Sequence, residues 1–78
     1  MSVTPDQVLD CSGLACPMPI LKTKQAVDAL DAGQVLQMIA TDPGSTSDVE
    51  AWTARTGHTL LEHREDGGKF VFLIEKKA

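Results

Sequence analysis

Hydrophobic and polar positions divide the 78 residues into six short blocks. Gln7 to Asp10 predicts a short strand, and the mostly apolar run from Gln34 to Thr41 is typical of a central strand. His58 to Glu65 and Lys69 to Lys76 predict two further strands. The Asp-Gly-Gly sequence at 66–68 has the chemistry of a tight turn, so these two strands are expected to form a hairpin.

The first of two helical blocks runs from Pro17 to Asp31. Its apolar and small residues recur at helical spacing; they are Ile20, Thr23, Ala26, Val27 and Leu30. Gly33 stands a short distance beyond, where a glycine commonly caps a helix C-terminus.

The second helical block follows a turn predicted at Asp42 to Gly44. Ser45 or Ser47 is expected to cap this helix, and an acidic residue three positions on, Asp48 or Glu50, would complete a capping box. The block ends at Gly57. Its expected inward residues are Val49, Trp52 and Ala54.

The predicted order of elements is β-α-β-α-β-β. Two amphipathic helices and four strands in so short a chain predict an α/β (α+β) two-layer sandwich. In this sandwich a mixed four-stranded sheet carries both helices on one face. We expect residues 1–78 to form a single domain, because the chain is too short for more.

The charge balance narrows the class of partner. Seven basic and eleven acidic residues give a net charge of −4. This charge argues against direct nucleic-acid binding and favours a protein partner with a basic docking surface. The longest apolar run, Phe70 to Ile74, is too short to span a bilayer, and residues 1–6 do not have the pattern of a signal peptide. We expect a cytoplasmic monomer without a cofactor, in a compartment that keeps thiols reduced.

The candidate chemistry lies at Cys16, where the first helix is predicted to begin. Partial positive charge at a helix N-terminus lowers a thiol pKa from about 8.5 and makes the sulfur a better nucleophile. Pro17 and Pro19 stiffen this corner, and Gly13 lets the chain turn sharply out of the strand. Because Met18 precedes a proline, the regular helix is expected to begin nearer Pro19. The alternative interpretation is that Cys16 is a small buried apolar residue.

The other titratable residues give weaker signals. Cys11 and Cys16 could form a redox pair, but their spacing is not the Cys-x-x-Cys of thioredoxin-like proteins. We therefore favour Cys11 as a core residue at the end of a strand, with a transient disulfide as the alternative. His58 and His63 do not have zinc-finger spacing relative to the cysteines, so no metal site is predicted.

The lysines receive structural interpretations. Lys22 and Lys24 are interpreted as part of a solvated helix face. The last four residues, Glu-Lys-Lys-Ala at 75–78, are expected to fray.

The segment LDCSGLACPMPILKTKQAV, residues 9–27, resembles the signature of the TusA/SirA-like sulfur carrier family, Leu-Asp-x-x-Gly-Leu-x-Cys-Pro-x-Pro. The later segments TDPGSTSDVEAW and GHTLLE are similar to that family's second helix and following strand. The resemblance implies that Cys16 carries sulfane sulfur as a persulfide, with Pro17 and Pro19 as its scaffold. Asp10 and Gly13 match the signature, and we interpret them as structural. Cys11 falls at a variable position, so the resemblance assigns it no role.

The resemblance also implies the kind of partner. Sulfur would come from a cysteine desulfurase or a rhodanese. It would pass to an acceptor of the DsrE/TusD type, in tRNA thiolation or in dissimilatory sulfur oxidation. Some relatives are linked to molybdenum cofactor or selenium metabolism. The activity would be protein-to-protein sulfur transfer rather than small-molecule catalysis. The alternatives are a redox-responsive regulatory module that uses Cys11 and Cys16, and a selenium carrier, which the same thiol chemistry would serve.

Overall fold

The computed structural model describes residues 4–15 and 18–77. Its elements are β1 (Gln7–Cys11), α1 (Met18–Asp28), β2 (Val35–Ala40), α2 (Ser45–Thr56), β3 (Thr59–Asp66) and β4 (Lys69–Glu75). The predicted β-α-β-α-β-β order is confirmed. Most strand ends lie one residue from their predicted positions. Helix α1 ends at Asp28, three residues before its predicted end. Pro17, the predicted first helical residue, lies outside the described residues.

The four strands form one mixed sheet in the order β1-β2-β4-β3. β1 runs parallel to β2, with Cys11 opposite Ala40 at the end of the pair. β4 is antiparallel to both β2 and β3. The last two strands meet at Gly67 and Gly68, both at positive φ, which confirms the predicted tight hairpin.

The core lies between the sheet and the two helices. Alternate residues of the strands supply one side of it, because side chains of a strand point to opposite faces in turn. The fully or nearly fully buried core residues are Cys11, Val27, Leu30, Leu36, Met38, Ala40, Val49, Trp52, Phe72 and Ile74. The predicted core position of Trp52, the only tryptophan, is confirmed.

The prediction for the inward face of α2 is wrong at one position. Thr53 is buried, whereas Ala54 is exposed. Val49, Trp52 and Thr53 follow the i, i+3, i+4 pattern of one helix face, and Ala54 falls outside it. The buried Thr53 hydroxyl is satisfied within the helix, because it donates to the Val49 carbonyl at 2.9 Å.

On the sheet face opposite the helices, side chains of the sheet itself partly cover the apolar residues from solvent. Val71 and Leu73 of β4 are 8% and 4% exposed. Opposite them on β3 lie Arg64 and Glu62, whose ion pair spans 2.8 Å. We attribute the burial of the two apolar residues to the aliphatic stems of this pair.

The C-terminal end of α1 differs from prediction. Gly33 has φ +85°, but it lies five residues beyond the last helical residue and so does not cap the helix. Instead, the Lys76 ammonium donates to the carbonyls of Asp28 at 3.1 Å and Leu30 at 2.6 Å. Lys76 is also paired through its backbone with Gly33 and Gln34. The predicted fraying of this tail is therefore wrong for Lys76, while Ala78 lies outside the described residues.

The N-terminal end of α2 also differs from prediction. Its N-cap is Gly44, which has helical φ and ψ and makes no side-chain cap, so the predicted capping box is wrong. The preceding turn is held by Asp42, whose carboxylate accepts the Gly44 N–H and whose carbonyl accepts the Ser45 N–H. A backbone already helical at Gly44 leaves no place for a serine cap. The predicted end of α2 at Gly57 is confirmed, with φ +87° and its N–H bonded to the Thr53 carbonyl.

Lys76→Met should destabilise the fold by about 1–2 kcal/mol, because the carbonyls of Asp28 and Leu30, at and just beyond the end of α1, lose a charged donor. Methionine keeps an unbranched stem and removes only the ammonium. The urea midpoint should fall with an unchanged m-value. Lys77→Met is the matched control, since Lys77 is exposed and bonds through its backbone N–H. Equal midpoints for the two variants would contradict the capping role.

His58 gives the fold a pH dependence. Its ring centroid lies 5.2 Å from that of Trp52, and its Nδ1 accepts the Lys77 N–H at 3.0 Å. Burial, and then the nearby charges of Lys77 and Lys76, lower the pKa of His58. A lowered pKa in the folded state stabilises above the unfolded pKa of about 6.5, and this contribution is lost as pH falls through the folded value.

We therefore expect NMR titration of His58 in the folded protein to give a lower midpoint than the same histidine in urea. The fall in stability between neutral and acidic pH should become smaller in His58→Asn, which cannot ionise. A folded-state midpoint at or above the urea value would be the contrary result.

Candidate functional site

The topology brings two loops and two helix ends together. Because β1 and β2 are parallel, their carboxyl ends lie at the same edge of the sheet. The chain leaves β1 there to begin α1 at Met18, and it leaves β2 there to begin α2 at Ser45. The positive ends of both helix dipoles therefore lie at this edge, which is where binding and reactive groups commonly lie in sheets of this kind.

Within the described residues, four hydrogen bonds hold Ser12 to Ala15, the part of the loop before α1 that follows β1. Asp10 accepts the Ser12 N–H at 2.9 Å, and the Cys11 carbonyl accepts the Leu14 N–H at 3.1 Å. The Ala15 carbonyl accepts the Met18 N–H at 2.9 Å. The fourth bond comes from another strand: the Gly13 N–H donates to Thr41 Oγ1 at 2.9 Å. These bonds determine the path of the backbone up to the residue that precedes Cys16.

Gly13 has φ +82°, as the sequence predicted from its place after the strand. A Cβ at this position would meet no atom within 4 Å. The need for glycine is therefore one of backbone conformation, since other residues rarely adopt this φ.

Asp10 has a structural role here. The side chain and backbone N–H of Ser12 lower the pKa of its carboxyl group, and the more distant charge of Lys69 acts in the same direction. Asp10 therefore stays ionised and accepts the first hydrogen bond of the loop.

The predicted site residues are described only in part. Cys16 and Pro17 lie outside the described residues. Pro19 lies in the first turn of α1, where it is buried, and its carbonyl accepts the Thr23 hydroxyl at 2.7 Å. The helix begins at Met18, one residue before Pro19, so the expectation that a residue before proline stays outside the helix is wrong at this position.

Cys11 is a core residue, in agreement with the favoured interpretation. Its side chain is 0% exposed, at the end of β1. Burial raises the pKa of the Cys11 thiol, and the charge of Lys22 opposes this only in part. Cys11 is therefore a neutral thiol at physiological pH, the opposite of what a nucleophile needs.

Thr41 is the residue of this site that the sequence interpretation missed. It was included only as the end of a predicted strand. A signal was present, because a hydroxyl side chain stands at the end of a mostly apolar predicted strand. What the sequence did not reveal was the parallel register, which brings the end of β2 beside the loop before α1.

The remaining candidates stay apart. His58 packs against Trp52, whereas the His63 ring lies 6.3 Å from that of Phe72. Lys24 makes an exposed ion pair with Asp28, as expected of a solvated helix face. Within residues 4–15 and 18–77, no three His, Cys, Asp or Glu side chains are grouped so that they could hold a metal ion. No helix in the described part of the chain is long and apolar enough to cross a membrane.

Two exposed apolar side chains flank the predicted site. Met18 and Leu21 of α1 are 41% and 47% exposed. They lie three residues apart and so share one helix face. Apolar side chains that remain exposed beside a reactive group are typical of a surface that contacts another protein.

The fold and this edge define a class: small α+β proteins with a cysteine between the first strand and the first helix. The family model described as Sulfurtransferase TusA matches residues 7–76. The chain belongs to this TusA/SirA-like sulfur carrier family. It is 56% identical over 71 residues to the sulfur carrier protein TusA of Allochromatium vinosum, covering 91% of this chain and 93% of that protein.

Other relatives agree with this assignment. Identity is 49% over 71 residues to the putative sulfur carrier protein YrkI of Bacillus subtilis, covering 91% of this chain and 95% of that protein. It is 47% over 75 residues to a TusA sulfur carrier of Pseudomonas putida, covering 96% of this chain and 94% of that protein. The crystal structure of a SirA-like protein from Desulfitobacterium hafniense superposes with a TM-score of 0.79 at 22% identity. That match covers 92% of this chain and 99% of the other, and it demonstrates the shared fold.

Burial should protect Cys11 from alkylation. In Cys16→Ala, Cys11 is the only thiol, because the chain has two cysteines. Iodoacetamide should leave this variant unmodified in native buffer and modify it fully in urea, as intact mass will report. Alkylation of the folded variant at the rate of an exposed thiol would contradict the buried position.

The raised pKa of Cys11 also predicts a loss of stability at alkaline pH. Above the unfolded thiol pKa of about 8.5, the unfolded chain loses a proton that the folded protein keeps. Stability should therefore fall as pH rises from that value towards the folded pKa. Urea unfolding of Cys11→Ala should decline less over this range than unfolding of the parent. An identical decline would assign the effect to other groups.

Proposed function

We propose that Cys16 accepts sulfane sulfur as a persulfide and relays it to an acceptor protein. The observation that carries this proposal is the loop from Ser12 to Ala15. Hydrogen bonds to Asp10 on one side and to Thr41 on the other hold this loop. The loop leads directly into Cys16, two positions before α1 begins. The names of the relatives support the same class of activity.

The chemistry is two exchanges without net oxidation. The Cys16 thiolate attacks the outer sulfur of a donor persulfide, so that a new S–S bond forms and the donor leaves as a thiolate. The acceptor thiolate then attacks the outer sulfur on Cys16 and regenerates the Cys16 thiolate. Because each step needs both attack and departure, a thiol pKa near ambient pH serves the carrier best.

The start of α1 can supply such a moderate shift. The first N–H groups of the helix are unpaired within it and favour a negative sulfur. Pro17 and Pro19 are proposed as the scaffold that keeps the chain stiff at this point. Gly13 is proposed to supply the turn.

We propose a cysteine desulfurase or a rhodanese as donor and a DsrE/TusD-type protein as acceptor. The chain acts as a monomer in the cytoplasm, in tRNA thiolation or in sulfur oxidation. Met18 and Leu21 would contribute apolar contact beside the cysteine, and the net charge of −4 favours a partner with a basic rim.

The alternative, a regulatory module with a Cys11–Cys16 disulfide, is less well supported. Cys11 is fully buried with a raised pKa. It would have to leave the core before it could react.

The test is intact-protein mass spectrometry after incubation with a cysteine desulfurase and cysteine, or with a rhodanese and thiosulfate. The parent and Cys11→Ala should gain the mass of one or more sulfur atoms, and reductant should remove it. Cys16→Ala should gain none. Absence of sulfur on the parent with both donors would reject the proposal, and loss of loading in a folded Cys11→Ala would favour the regulatory module. Competition between labelled sulfur and selenium donors tests the selenium alternative.

A further inference from the structure

Among the four bonds that hold the loop from Ser12 to Ala15, one differs in kind. The bonds from Ser12 to Asp10, from Leu14 to Cys11 and from Met18 to Ala15 join residues two or three apart. The bond from the Gly13 N–H to Thr41 Oγ1 joins residues 28 apart. The other three bonds join the loop to the adjoining ends of β1 and α1, whereas this bond joins it to the residue that follows β2.

The acceptor itself is well anchored. Thr41 follows directly on β2, whose last residue, Ala40, is fully buried and lies opposite Cys11. On its other side, Asp42 holds the turn into α2. Thr41 is therefore fixed by a central strand on one side and by a helix start on the other.

The donor is the residue at which the loop changes direction. Gly13 has positive φ, and a substituent there would meet nothing within 4 Å. Side-chain packing therefore does not hold this residue, and glycine is the most conformationally free residue of the backbone. A hydrogen bond at this point limits the freedom of the whole loop.

We propose that Thr41 is a positioning residue for the Cys16 thiol. Its hydroxyl holds Gly13, and through Gly13 the two residues that lead into Cys16, Leu14 and Ala15. This inference rests on the proposed role of Cys16 as sulfur carrier, and it adds the residue that sets the reactivity of that thiol.

The test compares Thr41→Val with Thr41→Ser in a Cys11→Ala background, where Cys16 is the only thiol. Valine keeps the shape of threonine and removes the acceptor oxygen, whereas serine keeps the oxygen. Thr59→Val is the matched control. Thr59 is an exposed residue of β3, the outer strand on the far side of the sheet from β1.

Three readouts are measured: amide exchange of Gly13, the pH profile of iodoacetamide alkylation, and the rate of sulfur loading from a cysteine desulfurase. Thr41→Val should exchange the Gly13 amide faster, shift the alkylation midpoint towards that of a free thiol, and load sulfur about fivefold more slowly at neutral pH. The factor is that expected for one lost hydrogen bond. Thr41→Ser should restore all three, and Thr59→Val should match its parent.

Urea unfolding of each variant verifies that it is folded at the assay temperature. A folded Thr41→Val with the alkylation profile of its parent would overturn the proposal, and so would a Thr41→Ser as impaired as the valine variant. A parent that takes up no sulfur would reject the carrier function alone. The alkylation profile and the Gly13 exchange rate would still decide the role of Thr41, because neither needs a sulfur donor.

Discussion

Because β1 and β2 run parallel, with Cys11 opposite Ala40, the two segments that carry the site leave the sheet at the same edge. An antiparallel pair would have placed the loop before α1 at one edge and the Thr41–Gly44 turn at the other. The parallel pairing also requires a crossover from the end of β1 back to the start of β2, which α1 supplies, and α2 follows the end of β2. The starts of α1 and α2 therefore join the same edge, and the positive ends of both helix dipoles meet there.

The same pairing determines where α1 must end and which residues hold that end in place. α1 packs on the sheet and runs back to the level at which β2 begins. Contacts with the C-terminal tail hold the end of α1 and the start of β2 together. Lys76 donates to the carbonyls of Asp28 and Leu30, at and just beyond the end of α1, and its backbone pairs with the two residues before β2. His58 and Lys77 fasten the same tail to the start of β3. The residues after β4 therefore stabilise the end of the sheet opposite the candidate site.

The sequence predicted those features that depend on neighbours along the chain. The order of elements, the Gly-Gly hairpin, the glycine end of α2 and the positive φ of Gly13 all follow from local chemistry, and all are confirmed. The buried end of β1 at Cys11 could also be predicted, because an apolar residue ending a short strand usually packs inward. For the site, the signature around Cys16 pointed to the correct family, while Cys16 itself lies outside the described residues.

The wrong predictions involve contacts between distant residues. Gly33 is predicted to cap α1, but the lysine that serves this end is 48 positions from Asp28 and 46 from Leu30, the two residues whose carbonyls it contacts. The capping box of α2 failed because Asp42 already holds the turn and Gly44 is already helical. Thr41 was missed for the same reason, since its partner Gly13 is 28 residues away. The pattern of neighbouring residues does not reveal how the strands align in the sheet, and this alignment brings such distant residues together.

The burial of Cys11 has a consequence for a carrier of persulfide sulfur. A second thiolate within reach of a Cys16 persulfide would attack the inner sulfur. It would form a Cys11–Cys16 disulfide and release hydrosulfide, so that the cargo would be lost. Cys11 is only five residues from Cys16, but its thiol lies in the core and its pKa is raised. Attack would require both ionisation in an apolar environment and loss of core packing, and each of these costs free energy. With Cys16 as the proposed carrier, the position of the neighbouring cysteine on the inner face of β1 would protect the cargo.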